Sequence, residues 1–301
     1  NSKIMLNPEN KNETKLVLDV LKTNYEDIEN TSLGNKEQGI KSGFYDFDAL
    51  TQGLNRGDLI VLGGRPAMGK TSISLNIALN IAETNSFPVC IFSLEMSKEQ
   101  ITYRLLSMDS GIESGRLRTG RLQQDEWPVL AKSVENIGRR KIYINDKSTI
   151  SIKEIQDICS TIKDQSKNKK LGLIVIDFVQ LMELEETSPE LSRDEELTKI
   201  AIKLKKLAID LDVPVIITSQ LEREIERRNN KRPMLSDIRD TTALEGFADL
   251  ITMIYRDEYY EPETEDRGIT ELITCKHRNG PVGTVKLLFE PQFTRFRNLA
   301  A

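Results

Sequence analysis

Residues 64–71 read Gly-Arg-Pro-Ala-Met-Gly-Lys-Thr. The spacing is GxxxxGK[ST], and each fixed type has a physical reason. Glycines let backbone N–H groups close around phosphate oxygens. A helix beginning at the lysine aims its positive end at the same anion. Lys70 reaches the β- and γ-phosphates, and the Thr71 hydroxyl is a ligand for Mg²⁺. The pattern predicts that Gly64, Arg65, Pro66, Ala67, Met68, Gly69, Lys70, Thr71 and Ser72 wrap a triphosphate. The setting agrees: DLIVLGG before the glycines reads as a strand, and Lys70–Ala82 as a helix.

Outward from this turn the chain alternates. PVCIFSL, KIYIN, LGLIVID and VPVIITS read as strands. Between them, Lys98–Met108, 151–166 and 194–210 have helical spacing. Short apolar strands separated by helices predict parallel strands buried on both faces. DLITMIY, GITELITCKH and GTVKLLFE follow with only turns between them. They predict an antiparallel edge on the same sheet, in one α/β domain over 39–301.

In such a sheet, ligands bind beyond the carboxyl ends of the strands. Asp177 ends LIVID, where a carboxylate can serve the metal. Phe178 follows it, so a group that activates water must come from elsewhere. Glu95 follows VCIFSL and is the candidate; the other reading is an acid preceding the Ser97/Gln100 capping box. Gln220 ends VPVIITSQ and is either a γ-phosphate sensor or a surface side chain.

Composition narrows the field. The longest apolar run, LGLIVIDFVQLM, is too short to span a bilayer and holds an acid. NSKIMLNPENKNE lacks the features of a secretory signal. Cys90, Cys159 and Cys275 are dispersed, which fits a reducing cytoplasm without a disulfide framework. A single histidine, His277, excludes a histidine-rich metal centre. Net charge is −5, so any nucleic-acid contact must be local. One local candidate is the basic stretch Arg223–Arg232, which includes Arg227, Arg228, Lys231 and Arg232. It reads equally as a solvated helical face.

Residues 1–38 read as a separate segment. Leu16, Val17, Val20, Leu21, Tyr25 and Ile28 recur at helical spacing, predicting an amphipathic helix over about 13–29. Its stripe must be covered by its own domain or by a neighbouring subunit.

Five motifs in order carry a resemblance: GGRPAMGKT, FSLEM, LIVIDFVQLM, VPVIITSQLEREIERRNNKRPMLSDIR and KHRNGPVGTVKLLFE. With GIKSGFYDFDALTQGLNRGDLIVL ahead of them, residues 39–299 resemble the RecA-like C-terminal domain of DnaB-type replicative DNA helicases. The resemblance implies a homohexameric ring that moves 5′ to 3′ along single-stranded DNA on hydrolysis of ATP with Mg²⁺, its nucleotide sites lying between subunits. It implies Lys70 and Thr71 in the phosphate loop, Glu95 as catalytic carboxylate, Asp177 on the metal side and Gln220 as sensor. Lys276 and Arg278 match a basic pair that enters the neighbour's site, with Arg278 as arginine finger; the residues alone read as a hairpin tip. Arg239, Asp240 and Thr242 match the pore-facing DNA segment, and Arg232 joins them as an expected DNA contact.

The resemblance further implies that TKLVLDVLKTNYEDIEN is a linker helix docking on an adjacent subunit. Primase and a helicase loader are its expected partners. The family's primase-contacting N-terminal domain has no counterpart here, so a fragment or a minimal form is expected. The sequence also departs from the pattern. Thr242 stands where a glycine is usual, and Phe247 where an acid is. Glu222 replaces an asparagine, His277 a glutamine, and ELEETSPELSRDEE, residues 183–196, is unusually acidic. Acids near phosphates weaken DNA binding. A RecA-like repair ATPase and a non-hydrolysing nucleotide-binding assembly module remain the alternatives.

Overall fold

A computed structural model describes residues 14–34, 39–84, 87–182, 184, 192–238 and 241–299, with only the backbone for 241–243. The chain divides into two units, Asn1–Gln38 and Gly39–Ala301. In the first, α1 (Val17–Ser32) carries the stripe of Val17, Val20, Leu21, Tyr25 and Ile28, all exposed. The helix begins and ends a few residues later than the sequence predicts.

The second unit is built on a nine-stranded sheet. Its elements run α2 (Tyr45–Thr51), β1 (Leu59–Gly64), α3 (Lys70–Thr84), β2 (Val89–Ser93), α4 (Lys98–Ser110), α5 (Ser114–Thr119) and α6 (Glu126–Arg139). They continue with β3 (Ile142–Asn145), α7 (Ile152–Gln165), β4 (Leu173–Asp177), α8 (Arg193–Leu211), β5 (Val215–Gln220), α9 (Thr241–Phe247), β6 (Leu250–Tyr255), β7 (Ile269–His277), β8 (Gly283–Glu290) and β9 (Arg295–Asn298).

Strand order is β3-β2-β4-β5-β1-β6-β7-β8-β9. The first six are parallel, and β7, β8 and β9 add an antiparallel edge. The expected α/β fold is therefore present. One detail differs: DLITMIY, expected at the antiparallel edge, forms β6, which is parallel to β1 and antiparallel to β7. It is the strand where the sheet changes character. Its residues are buried throughout, as a strand with neighbours on both sides requires.

All six residues of β1 are buried. Leu59 and Val61 point into a core formed with α7 and α8, and Ile60 and Leu62 into one formed with α3 and α4. Alternate side chains face opposite layers, and both layers are apolar. α3 lies across the sheet with ten of its fifteen residues buried, among them the polar Ser72, Ser74 and Asn76, so it is covered on most sides rather than on a single apolar face. α4, α7 and α8 each start with a full capping box: Ser97/Gln100, Ser151/Glu154 and Ser192/Glu195. The last explains part of the acidic run: Asp194, Glu195 and Glu196 form the first turn of α8, where the helix dipole favours acids. Most of 183–191 lies outside the described residues.

Candidate active site

The carboxyl ends of β1, β2, β4 and β5 meet at a crevice of about 500 Å³. β1 leads into the phosphate loop. Ala67 there adopts positive φ (63°) without being glycine, and Gly69 has φ 102°. A Cβ on Gly69 would stand 2.8 Å from Phe296 Cζ of β9, so both the dihedral and the space require glycine. Lys70 Nζ donates to the carbonyls of Gly64 (2.8 Å) and Arg65 (3.1 Å), curling back over the loop. Burial lowers its pKa to about 8, against the pull of Asp177 and Glu95.

Thr71 Oγ1 donates to Asp177 Oδ2 at 2.6 Å. The second carboxylate oxygen accepts from the Thr218 hydroxyl of β5. Asp177 is thus held from α3 and from the adjacent strand β5. A hydroxyl and a carboxylate are hard oxygen donors, the set Mg²⁺ favours while keeping several waters. Among the described residues no cluster of three or more acidic, histidine or cysteine side chains forms a protein-only metal cage. Such a pair suits an ion whose remaining ligands are water and phosphate.

Glu95 reaches the crevice because β2 continues its pairing beyond Ser93: Leu94 N–H donates to Asp177 O at 2.8 Å. The capping box of α4 is made by Ser97 and Gln100, leaving Glu95 out of it. Gln220 lines the same crevice from the end of β5.

The remaining loop residues divide. Pro66, Ala67, Gly69, Lys70, Thr71 and Ser72 line the crevice. Arg65 turns away, donating from Nε to Glu226 Oε1 (2.8 Å) and from Nη1 to Leu221 O (2.9 Å). Met68 is buried in the core. Gly64 contributes the carbonyl that holds Lys70.

Two cations in the crevice escaped the sequence reading. Arg104 projects from α4 beside Asp177 and Glu95, whose charges oppose the lowering of its pKa by burial. Among the described residues it has no hydrogen-bonded or ion-paired partner. The signal was present, since Gln100 and Arg104 are four apart on one helical face. Arg256, following β6, lies 4.4 Å over the Phe289 ring, with Nη1 3.3 Å from Ala67 O. Nothing local in its sequence marks it.

Lys276 and Arg278 do not line this crevice. They lie at the end of β7, held against α9. Arg278 Nη1 is 3.3 Å from Asp249 Oδ1, Nη2 donates to Gly246 O at 3.0 Å, and Lys276 Nζ donates to Glu245 O. Arg232, expected among the DNA contacts, forms a two-point pair with the buried Glu271 (2.8 and 2.5 Å) and stacks over Tyr255. Its planar fork is occupied within the chain. Arg239 and Asp240 lie outside the described residues. Thr242 belongs to α9 by its backbone.

This arrangement has known counterparts. The profile of the DnaB-like helicase C-terminal domain matches residues 39–298. The chain belongs to that family. It is 42% identical over 288 residues to the replicative DNA helicase DnaB of Geobacillus stearothermophilus, covering 95% of this chain and 62% of that protein. It is 45% identical over 268 residues to a probable replicative DNA helicase of Trieres chinensis, covering 86% and 57%. The chain thus spans about three fifths of these curated relatives. Among solved structures, one described as an ATPase domain superposes with a TM-score of 0.89 at 36% identity, covering 96% of this chain and all of that one. A DnaB-like replicative helicase, described with its interactions with primase, gives 0.86 at 36% identity and covers 96% and 68%. No helix among the described residues of this family member is long and apolar enough to cross a membrane.

Proposed function

We propose that this DnaB-family chain is the motor domain of an ATP-dependent replicative DNA helicase. It works as a homohexameric ring, moving 5′ to 3′ on single-stranded DNA. One observation carries the reading. A crevice lined by Pro66, Ala67, residues 69–72, Glu95, Asp177 and Gln220 stands at the strand ends, while Lys276 and Arg278, the cations that would finish it, are held elsewhere on the same chain. A neighbouring copy can supply them.

In this reading the loop amides and Lys70 hold the phosphates of ATP. Thr71, oriented by Asp177, is the hydroxyl that would hold Mg²⁺, which when bound neutralises charge on the β- and γ-oxygens. Glu95 takes the proton of the attacking water. Arg104 of the same chain and Arg278 of the neighbour stabilise the charge that develops on the transferred group. Gln220, at the end of β5, registers the γ-phosphate. Residues 1–38 act as a linker whose helix docks on the adjacent subunit, and 39–301 act as the ATPase domain. The DNA contacts are Arg239, Asp240 and the backbone at Thr242. Primase and a loader are the whole protein's partners, and the work is done in the cytoplasm.

The test mixes Arg278→Ala subunits with unaltered ones and measures strand-dependent ATPase and native mass. Activity falling faster than the diluted fraction supports a shared site. A strictly proportional fall, or equal turnover by monomers at high dilution, removes the ring-motor reading.

A further inference from the structure

α9 ends abruptly, and its last carbonyls need partners. Four C=O groups at any helix end lack intrahelical donors. Leu244 O is satisfied by Ala248 N–H at 3.0 Å. The next donor along, Asp249 N–H, is diverted to Leu59 O at 2.9 Å because the chain there turns into the sheet beside β1. Glu245 O and Gly246 O are left over, and they accept from Lys276 Nζ and Arg278 Nη2. Two cations from β7 and the residue just past it thus cap the negative end of α9.

The cap is anchored from below. Asp249 Oδ2 accepts from Leu59 N–H (2.8 Å) and Lys205 Nζ (2.5 Å), while Oδ1 faces Arg278 Nη1. The Arg278 backbone N–H also donates to Asp249 O at 2.8 Å. The base of Arg278 is therefore fixed, while its side chain is 48% exposed and within reach of solvent. The same two side chains are the ones assigned above to the neighbour's triphosphate.

We propose that the carbonyl end of α9 and the triphosphate bound by the adjacent subunit compete for Lys276 and Arg278, so that ATP in one copy uncaps α9 in the next. The idea rests on the across-interface reading of those two residues. Its chemistry is a choice between acceptors: polyanionic phosphate oxygens are stronger partners for these cations than two peptide carbonyls and the single, longer contact of Arg278 with Asp249 Oδ1 at 3.3 Å. Nucleotide occupancy at one interface thereby loosens the carbonyl end of α9 in the copy that contributes the finger.

The experiment is amide hydrogen exchange of residues 244–250 in the assembled full chain, with and without Mg²⁺ and ATPγS, at concentrations where native mass is constant. The analogue is expected to speed exchange in this segment severalfold while protecting the phosphate-loop amides. In Lys276→Gln/Arg278→Gln chains the segment should already exchange fast and ignore the analogue. The proposal is overturned if ATPγS protects the phosphate loop of the unaltered protein but leaves 244–250 unchanged. It is equally overturned if the folded double variant exchanges there like the parent. The subunit-mixing result is separate: poisoning by Arg278→Ala without any response of α9 keeps the shared site and removes the competition.

Discussion

The Thr71 hydroxyl and the Asp177 carboxylate lie 2.6 Å apart, so the first turn of α3 and the last residue of β4 share a hydrogen bond across the crevice. These residues are 106 positions apart in the chain. Asp177→Asn keeps the shape but weakens the charge that would orient a Thr71-bound Mg²⁺. We expect turnover to fall by about a hundredfold or more, with a smaller change in nucleotide affinity and a higher Mg²⁺ requirement. A Mg²⁺ titration of ATPase activity checks this; an unchanged requirement would detach Asp177 from the metal.

Lys70 gives a pH signature. Burial has already lowered its pKa to about 8, and a bound triphosphate restores the charged form. Triphosphate affinity should therefore decline as pH rises through about 8, and binding near that pH should take up protons. Calorimetry in buffers of different ionisation enthalpy reads the uptake directly. The stability term has the opposite slope. The unfolded lysine binds its proton up to its ordinary value of 10.5, so between about 8 and 10.5 the unfolded state holds more protons and this residue's contribution to stability rises with pH. Lys70→Ala should remove both effects together with nucleotide binding.

Glu95→Gln separates binding from chemistry. A lost general base costs about 10²–10⁴ in rate. We expect ATP to bind with little change while hydrolysis nearly stops. Equal turnover by the variant would return Glu95 to the role of an acid ahead of a helix.

Arg104→Ala removes a cation that lies beside both Asp177 and Glu95. The expected result is a fall in kcat of about tenfold or more with a modest change in KM, since the charge it answers develops during the reaction. A change confined to KM would place its role in ground-state binding.

Asp249→Ala tests the fold rather than the chemistry. The carboxylate is buried and meets Leu59 N–H, Lys205 and Arg278. Its removal takes the counter-charge from Lys205, whose side chain is 20% exposed and keeps the Gly57 carbonyl as acceptor. A loss of about 3 kcal/mol in unfolding free energy is expected. Denaturant midpoints of the two proteins measure it.

Much of this was legible in the sequence because it is local. The phosphate loop, the three capping boxes and the apolar strands each announce themselves within a few residues. Glu95, Asp177 and Gln220 could be placed from strand ends alone, since a parallel sheet delivers those ends to one edge. What stayed hidden depends on distant partners. Arg65 looks like a phosphate ligand until Glu226 and Leu221 O are found beside it. Arg232 looks like a DNA contact until Glu271 arrives from β7. Arg256 gains its place through Phe289 and Ala67 O, both far from it in sequence, and DLITMIY reads as antiparallel because its parallel partner β1 lies far back in the chain.

The position of β1 bears on how the molecule is made. It is the strand that leads into the loop at 64–71, yet its two neighbours, β5 and β6, come from far later in the chain, and Leu59 waits for Asp249, 190 residues later. A ribosome building this chain releases β1 as an apolar ribbon with both edges open long before either neighbour exists. The turn that follows β1 can therefore only become rigid once β5 and β6 have been made, and until then the nascent chain is a natural client for chaperones.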